Sequence, residues 1–193
     1  MKTMNSFNDQ QLISLYLKGN SDAISTLIER HKDRIFTTII LMVRDKYVAE
    51  DLFQDCFIHI IDKLNSGRYN EEGKFLPWVT RLAHNLVIDH LRKVKRKPVI
   101  LTSADHDIFD TINFSDDGVD KKMMNEQSYE KVNKLLDMLP EEQKEVIIMR
   151  HFGELSFKEI SNVTGCSINT ALGRMRYGLI NIRKMMTEKQ IAL

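Results

Sequence analysis

The stretch LSFKEISNVTGCSINTAL, residues 155–172, decides the fold of the C-terminal part of this chain. Ser156 precedes Glu159 by three positions, which is the spacing of a capping box at the start of a helix. Gly165 stands where the chain has to turn with a positive φ angle, and Ser167 can cap a second helix. The stretch therefore predicts two helices joined by a tight turn, a helix-turn-helix.

The second of these helices belongs to a basic block without acidic residues. No Asp or Glu occurs from Ile160 to Thr187, although Arg174, Arg176 and Arg183 do. Such a surface suits contact with DNA phosphates and entry into the major groove, whereas the competing interpretation is a helical hairpin with a solvated basic face. The residues expected to face the core are Ile168, Ala171, Leu172 and Met175. The residues expected at the DNA are Ser167, Asn169, Thr170, Gly173, Arg174, Arg176 and Tyr177.

Upstream of this motif, helical spacing of apolar residues predicts helices near 8–17, 21–42, 47–64 and 75–97. Helices resume near Ser128, and Pro140 opens another. No sustained alternation of period two occurs, so no strands are predicted. The core candidates of the fourth helix are Leu82, Leu86, Ile88 and Leu91. The predicted fold class is all-α, with two small helical domains joined by an acidic flexible linker.

The charge distribution supports this division. The net charge of +1 separates into +4 for residues 1–97, −5 for 98–127 and +2 for 128–193. We therefore predict domains at 1–97 and 128–193, with 98–127 as the linker. Composition excludes a uniformly basic DNA binder and a membrane span, and the two cysteines lack the spacing of a zinc site. We expect a cytoplasmic protein with no metal and no cofactor.

The fourth predicted helix combines aromatic rings with a run of cations. Phe75 and Trp78 lie at its start, and five of the six residues 92–97 are Lys or Arg. Unstacked bases can stack on rings while cations follow the phosphates, so this combination suits single-stranded DNA. For each ring taken alone, plain core packing is the favoured interpretation. For the cations it is complementation of the helix dipole, which accounts for one or two of them.

The third predicted helix carries an acidic ladder formed by Asp51, Asp55, His59 and Asp62. Metal binding would require matching ligands from a second helix, and the fourth helix offers no recognisable motif. A surface that docks another protein is the favoured interpretation.

Three segments resemble extracytoplasmic-function sigma factors of bacterial RNA polymerase. AEDLFQDCF at 49–57 resembles the family's AEDL-x-Q-[ED]-x-F helix. FLPWVTRLAHN at 75–85, followed by Asp89 and Arg92, resembles its F-x-x-W-[LV]-x-x-[IL]-A-x-N-x-x-x-D-x-x-R helix. LPEEQ at 139–143 and the helix-turn-helix resemble the opening and the DNA reader of its C-terminal domain. The three segments occur in the family's order.

The resemblance implies a promoter-specificity subunit without catalytic activity of its own. The first domain would dock on core RNA polymerase through Asp51, Gln54 and Asp55. It would also open the −10 element and hold an extruded base, and the second domain would read the −35 element. The residues assigned to −10 DNA are Phe75, Trp78, Asn85, Arg92, Lys93, Lys95 and Arg96. An anti-sigma factor is a further partner that the family suggests and that no residue here demonstrates.

The reading helix departs from the family pattern. Leu172 and Tyr177 stand where a cation is common, and Gly173 replaces a Ser. Which bases are read at −35 is therefore open. The alternatives are a stand-alone helix-turn-helix regulator, which would bind a palindrome without polymerase, and a metal-dependent enzyme built on the acidic ladder.

Overall fold

The computed structural model describes residues 4–70, 73–96 and 131–188, and within them the regular elements are helical. The chain divides into two compact units, each described by itself. The first holds a 3-10 turn, Met4–Ser6, and helices α1 (Asp9–Leu17), α2 (Ser21–Val43), α3 (Lys46–Asn65) and α4 (Phe75–Arg96). The second holds α5 (helical residues 131–137), α6 (Glu141–His151), α7 (Phe157–Thr164) and α8 (Ile168–Glu188). The all-α prediction is confirmed, and the predicted linker at 98–127 lies outside the described residues.

In the first unit, α2 packs against α1, α3 and α4. Caps fix where these helices begin: the Gln11 backbone N–H donates to Asn8 Oδ1 (2.8 Å), and the Val48 N–H donates to Asp45 Oδ1 (3.0 Å).

Within the described residues, no helix is both long and apolar enough to cross a membrane. The fully buried side chains include Leu12, Leu27, Ile39, Cys56, Ile60 and Val79.

The buried face of α4 differs from the predicted one. Leu82, Leu86, Ile88 and Leu91 are only half-buried. The buried face instead contains several small residues, because α4 lies against both α2 and α3 and small side chains permit that approach. The buried residues of α4 are Phe75, Leu76, Val79, Thr80, Ala83, His84 and Val87.

Cys56 lies in the centre of the first unit, where burial raises the pKa of its thiol from 9.0 to about 12. The reactive form of cysteine is the thiolate, so Cys56 should resist alkylation as long as the unit stays folded. In a Cys166→Ser chain, we expect no labelling by iodoacetamide at pH 9.0 without denaturant and one label per chain in denaturant. Mass spectrometry of the intact chain measures this, and labelling of the folded chain at the rate of an unfolded peptide would contradict the buried position.

In the second unit, α6, α7 and α8 pack around a core of Val146, Met149, Leu155, Ile160 and Ala171. The capping box is present: the Ser156 N–H donates to Glu159 Oε2 (2.8 Å), and the Glu159 N–H donates to Ser156 Oγ (3.3 Å). Gly165 ends α7 with φ +67°, as the turn requires. These features confirm the predicted helix-turn-helix.

Candidate nucleic-acid interface

One side of α4 carries a stripe of four residues, Trp78, Asn85, Arg92 and Arg96. Steps of seven, seven and four residues keep them on the same side of a helix. Trp78 is half-buried, whereas Asn85, Arg92 and Arg96 are exposed. The stripe extends over about 27 Å at 1.5 Å per residue. It therefore presents a ring, an amide and two cations in succession.

Trp78 belongs to an aromatic cluster at the start of α4. Its ring centroid lies 4.5 Å from that of Tyr69 and 5.9 Å from that of Phe75. Phe75 is 2% exposed and also packs at 5.5 Å from the His31 ring, which excludes direct stacking of Phe75 on a base. Phe75 therefore supports the rings of Trp78 and Tyr69 from the core, as plain core packing predicts, and Trp78 is more exposed than Phe75. Tyr69 precedes the helix, so a loop residue completes the cluster.

Behind this cluster, Asp9 fixes His31. The Asp9 carboxylate lies 2.8 Å from His31 Nε2 and 2.7 Å from Arg30 Nη1. Burial alone would raise the pKa of Asp9, but the hydrogen bonds from His31 and Arg30 outweigh it and leave this pKa below its usual value. The carboxylate therefore stays charged and holds the imidazole against Phe75.

The C-terminal end of α4 is strongly cationic. Lys93, Lys95 and Arg96 lie in its last turn and are exposed, as is Arg92. The negative end of the helix dipole favours cations there. Arg92 Nη1 lies 3.7 Å from Asp89 Oδ1, in an exposed pair that screening makes weak. The end of α4 therefore presents a group of exposed cations.

The exposed face of α3 combines acids with apolar side chains. Asp51, Gln54 and Asp55 are exposed, as the docking interpretation requires. Ile58, 57% exposed, lies on the same side, and Tyr47, 74% exposed, lies one turn before Asp51. Sequence reasoning missed both, although Ile58 falls outside the buried series Leu52, Cys56 and Ile60. In the described part of the chain, no three His, Cys, Asp or Glu side chains cluster as metal ligands would.

The first turns of α8 are open to solvent. Asn169, Thr170, Arg176 and Tyr177 are exposed, and Arg174 is half-buried. Ser167 is also exposed, but its hydroxyl accepts the Thr170 N–H at 3.0 Å and so serves as the helix cap.

Two of the predicted core residues of α8 are not in the core. Ala171 is buried and Met175 packs on the core, but Ile168 and Leu172 are each 43% exposed. The buried side of α8 runs instead through Ala171, Met175 and Gly178, where the absence of a side chain lets α6 approach. Ile168 and Leu172 lie to one side of this line.

Comparison with protein families matches both units. Residues 27–97 match the Sigma-70 region 2 model, and residues 129–172 match the Sigma-70, region 4 model. The chain is an extracytoplasmic-function sigma factor. As a sigma factor, it binds core RNA polymerase and promoter DNA and directs transcription initiation. The region 2 match contains α3 and α4 entirely, and the region 4 match ends at Leu172, within α8.

Curated relatives cover most of the chain. The sigma factor is 26% identical over 171 residues to the RNA polymerase sigma-H factor of Pseudomonas aeruginosa, covering 86% of this chain and 88% of the relative. It is 27% identical over 180 residues to the ECF RNA polymerase sigma factor SigW of Bacillus subtilis, covering 89% and 92%. Its fold is similar to that of the sigma factor RpoE from Bartonella quintana, solved in complex with the anti-sigma factor NepR. The TM-score is 0.62 at 19% identity, with 85% of this chain and 96% of that chain covered.

Proposed function

We propose that the two units divide promoter recognition between them, with residues 1–97 opening the −10 element and residues 128–193 reading the −35 element. The stripe Trp78–Asn85–Arg92–Arg96 carries the proposal. A duplex reader needs cations and hydrogen-bonding groups, but a half-buried ring followed by an exposed amide and exposed cations on one side of a helix suits unpaired bases and their backbone.

At the −10 element, Asn85 hydrogen-bonds an extruded base that Trp78 borders. Phe75 acts only indirectly, by supporting the Trp78 ring from the core. Arg92, Lys93, Lys95 and Arg96 contact the phosphates. Extruding a base costs a few kcal/mol, which the hydrogen bonds, ring contact and phosphate contacts together offset.

Core polymerase docks on the α3 face, where Asp51, Gln54 and Asp55 supply polar contacts and Ile58 supplies apolar area. A mixed surface of this kind fits an interface with an apolar centre and a polar rim. An anti-sigma factor that covered the same face would hold the sigma factor away from polymerase. Acting with polymerase places the protein in the cytoplasm and requires no catalytic residue, metal or cofactor in this chain.

The −35 element is read by α8 as a duplex. Asn169, Thr170, Arg174, Arg176 and Tyr177 supply the side chains near base edges and phosphates, Ser167 caps the helix, and Gly173 leaves space beside them. In a helix-turn-helix, the N-terminal residues of the second helix contact base edges, which matches the exposed positions of α8.

A run-off transcription assay on genomic fragments, with the sigma factor and core polymerase, tests the proposal. We expect promoter-dependent transcripts and capture of core polymerase by the full chain, and we expect Asp51→Lys/Asp55→Lys to lose capture. Ser25→Ala, at an exposed position on α2, is the control. A chain that binds a palindromic duplex but never captures core polymerase would instead establish the stand-alone regulator.

Lys95→Ala should weaken binding to promoter DNA of every sequence and reduce the slope of log affinity against log salt by about one unit. The reason is that each phosphate contact releases about one counterion. Holoenzyme binding, measured by fluorescence anisotropy across a salt series, gives the slope. Lys18→Ala, in the exposed C-cap residue of α1, is the matched control. An unchanged slope would remove Lys95 from the phosphate contacts.

A further inference from the structure

Two exposed apolar side chains stand at the base-reading end of α8. Ile168 is its first residue and Leu172 lies one turn later, and each is 43% exposed. Residues four apart on a helix are neighbours, so the two form one apolar surface. Neither residue packs in the core, because Ala171 and Met175 face it instead. Apolar side chains therefore occupy the part of the motif whose side chains contact bases.

Gly173, next to Leu172, has no explanation within the unit. A Cβ atom at Gly173 would meet nothing within 4 Å, whereas a Cβ at Gly178 would lie 2.8 Å from Ile147 Cδ1. Glycine is unfavourable in a helix interior, and close packing of α6 accounts for it only at Gly178. Around the axis of α8, Gly173 lies about 200° from the buried Ala171, on the opposite side of the helix. The space at Gly173 therefore opens toward whatever approaches α8 from outside.

The charge around this surface favours DNA as that approaching molecule. Arg176 lies one turn after Leu172 and is exposed, and no acidic residue occurs between Ile160 and Thr187. A protein partner would not need a surface free of acids, but a polyanion does. The only apolar group on the edges of base pairs in the major groove is the thymine methyl group.

Building on the proposed role of α8 at the −35 element, we propose that Ile168 and Leu172 read thymine methyl groups and that Gly173 lets α8 seat deeply enough for this contact. Leu172 thus supplies an apolar contact with thymine at a position where the family commonly has a cation. Asn169, exposed beside Ile168, carries the amide that can pair with adenine in the same element. The chain therefore selects A·T pairs opposite the first two turns of α8.

The test removes a single methyl group from the DNA. Holoenzyme first selects −35 sequences from a randomised duplex upstream of a fixed −10 element. Each thymine of the selected duplex is then replaced by deoxyuridine, which lacks only the methyl group. Loss of one buried methyl contact should weaken wild-type binding about fourfold at one or two positions. Leu172→Ala or Ile168→Ala should abolish the difference between thymine and uracil at the position that each one reads.

Leu179→Ala is the matched control, because Leu179 is exposed on the same helix two turns beyond Leu172 and should keep the full uracil effect. Gly173→Ala should raise the melting temperature of the chain and yet weaken binding to the selected duplex several-fold. Selected elements without thymine, uracil substitutions without effect on the wild type, or a uracil effect that persists in both Leu172→Ala and Ile168→Ala would overturn the inference. If holoenzyme selects no −35 sequence, the proposed role of α8 fails as well, which is a distinct result.

Discussion

Asn85→Ala is expected to reduce promoter opening about 5- to 150-fold, since a base held by a bidentate side chain is worth about 1–3 kcal/mol. Asn85 is exposed on α4, two turns beyond Trp78, so its amide can reach a base that borders the ring. Truncation removes both hydrogen-bonding groups without disturbing the buried face of α4. Core polymerase binds the proposed α3 face instead, so its affinity should not change.

Permanganate reactivity of −10 thymines in the holoenzyme–promoter complex measures opening, and capture of core polymerase measures docking. Gln10→Ala, an equivalent truncation of an exposed amide on α1, should leave both unchanged. A template with a pre-formed −10 bubble should recover part of the Asn85→Ala defect, because the cost of unpairing is then already met. Equal losses of opening and core binding in Asn85→Ala would contradict the base-holding role.

Helix ends were the most predictable part of this structure. Ser156 and Ser167 cap helices as their positions predict, because a cap depends on side-chain hydrogen bonds that span two or three residues. The αL turn at Gly165 is equally local. Such features can be predicted from a short window of sequence, and residues 155–172 therefore suffice to predict the helix-turn-helix.

Which side of a helix is buried was less predictable, because it depends on the neighbouring helices. On α4, the sequence predicts Leu82 and Leu86 as core residues, yet the smaller Thr80 and Ala83 are buried instead, where α2 and α3 approach. On α8, the sequence predicts Leu172 as a core residue, although its side chain is 43% exposed and lies beside the buried side of the helix. Hydrophobicity alone cannot separate an apolar core position from an apolar recognition position.

Phe75 illustrates the same limit within the proposed −10 site. Its place beside a run of cations suggests stacking on bases, whereas for the ring alone core packing is favoured, and Phe75 is 2% exposed and packs against His31. Phe75 differs from Trp78 in its burial, and this burial depends on a residue far away in the sequence. His31 belongs to α2 and is fixed there by Asp9. No spacing within α4 contains that information.

Ile160→Ala should destabilise the helix-turn-helix unit by about 2–5 kcal/mol through lost burial and the cavity left behind. Ile160 is 0% exposed and lies in the core with Val146, Met149, Leu155 and Ala171. A unit of about 60 residues has only about 3–9 kcal/mol of stability, so the variant loses much of it. Hydrogen exchange of the full chain should rise throughout α6–α8 and stay unchanged in α1–α4.

Val163→Ala is the control, because Val163 is only partly buried against the same core and its truncation should cost less. The proposed division between the units predicts the functional consequence. Ile160→Ala should lose initiation at promoters that depend on the −35 element, whereas core binding through the proposed α3 face should persist. Raising the temperature should widen the difference between the variant and the wild type, because unfolding of the second unit then becomes populated. Unchanged −35-dependent transcription together with rapid exchange in α6–α8 would show that α8 is not the reader of this element.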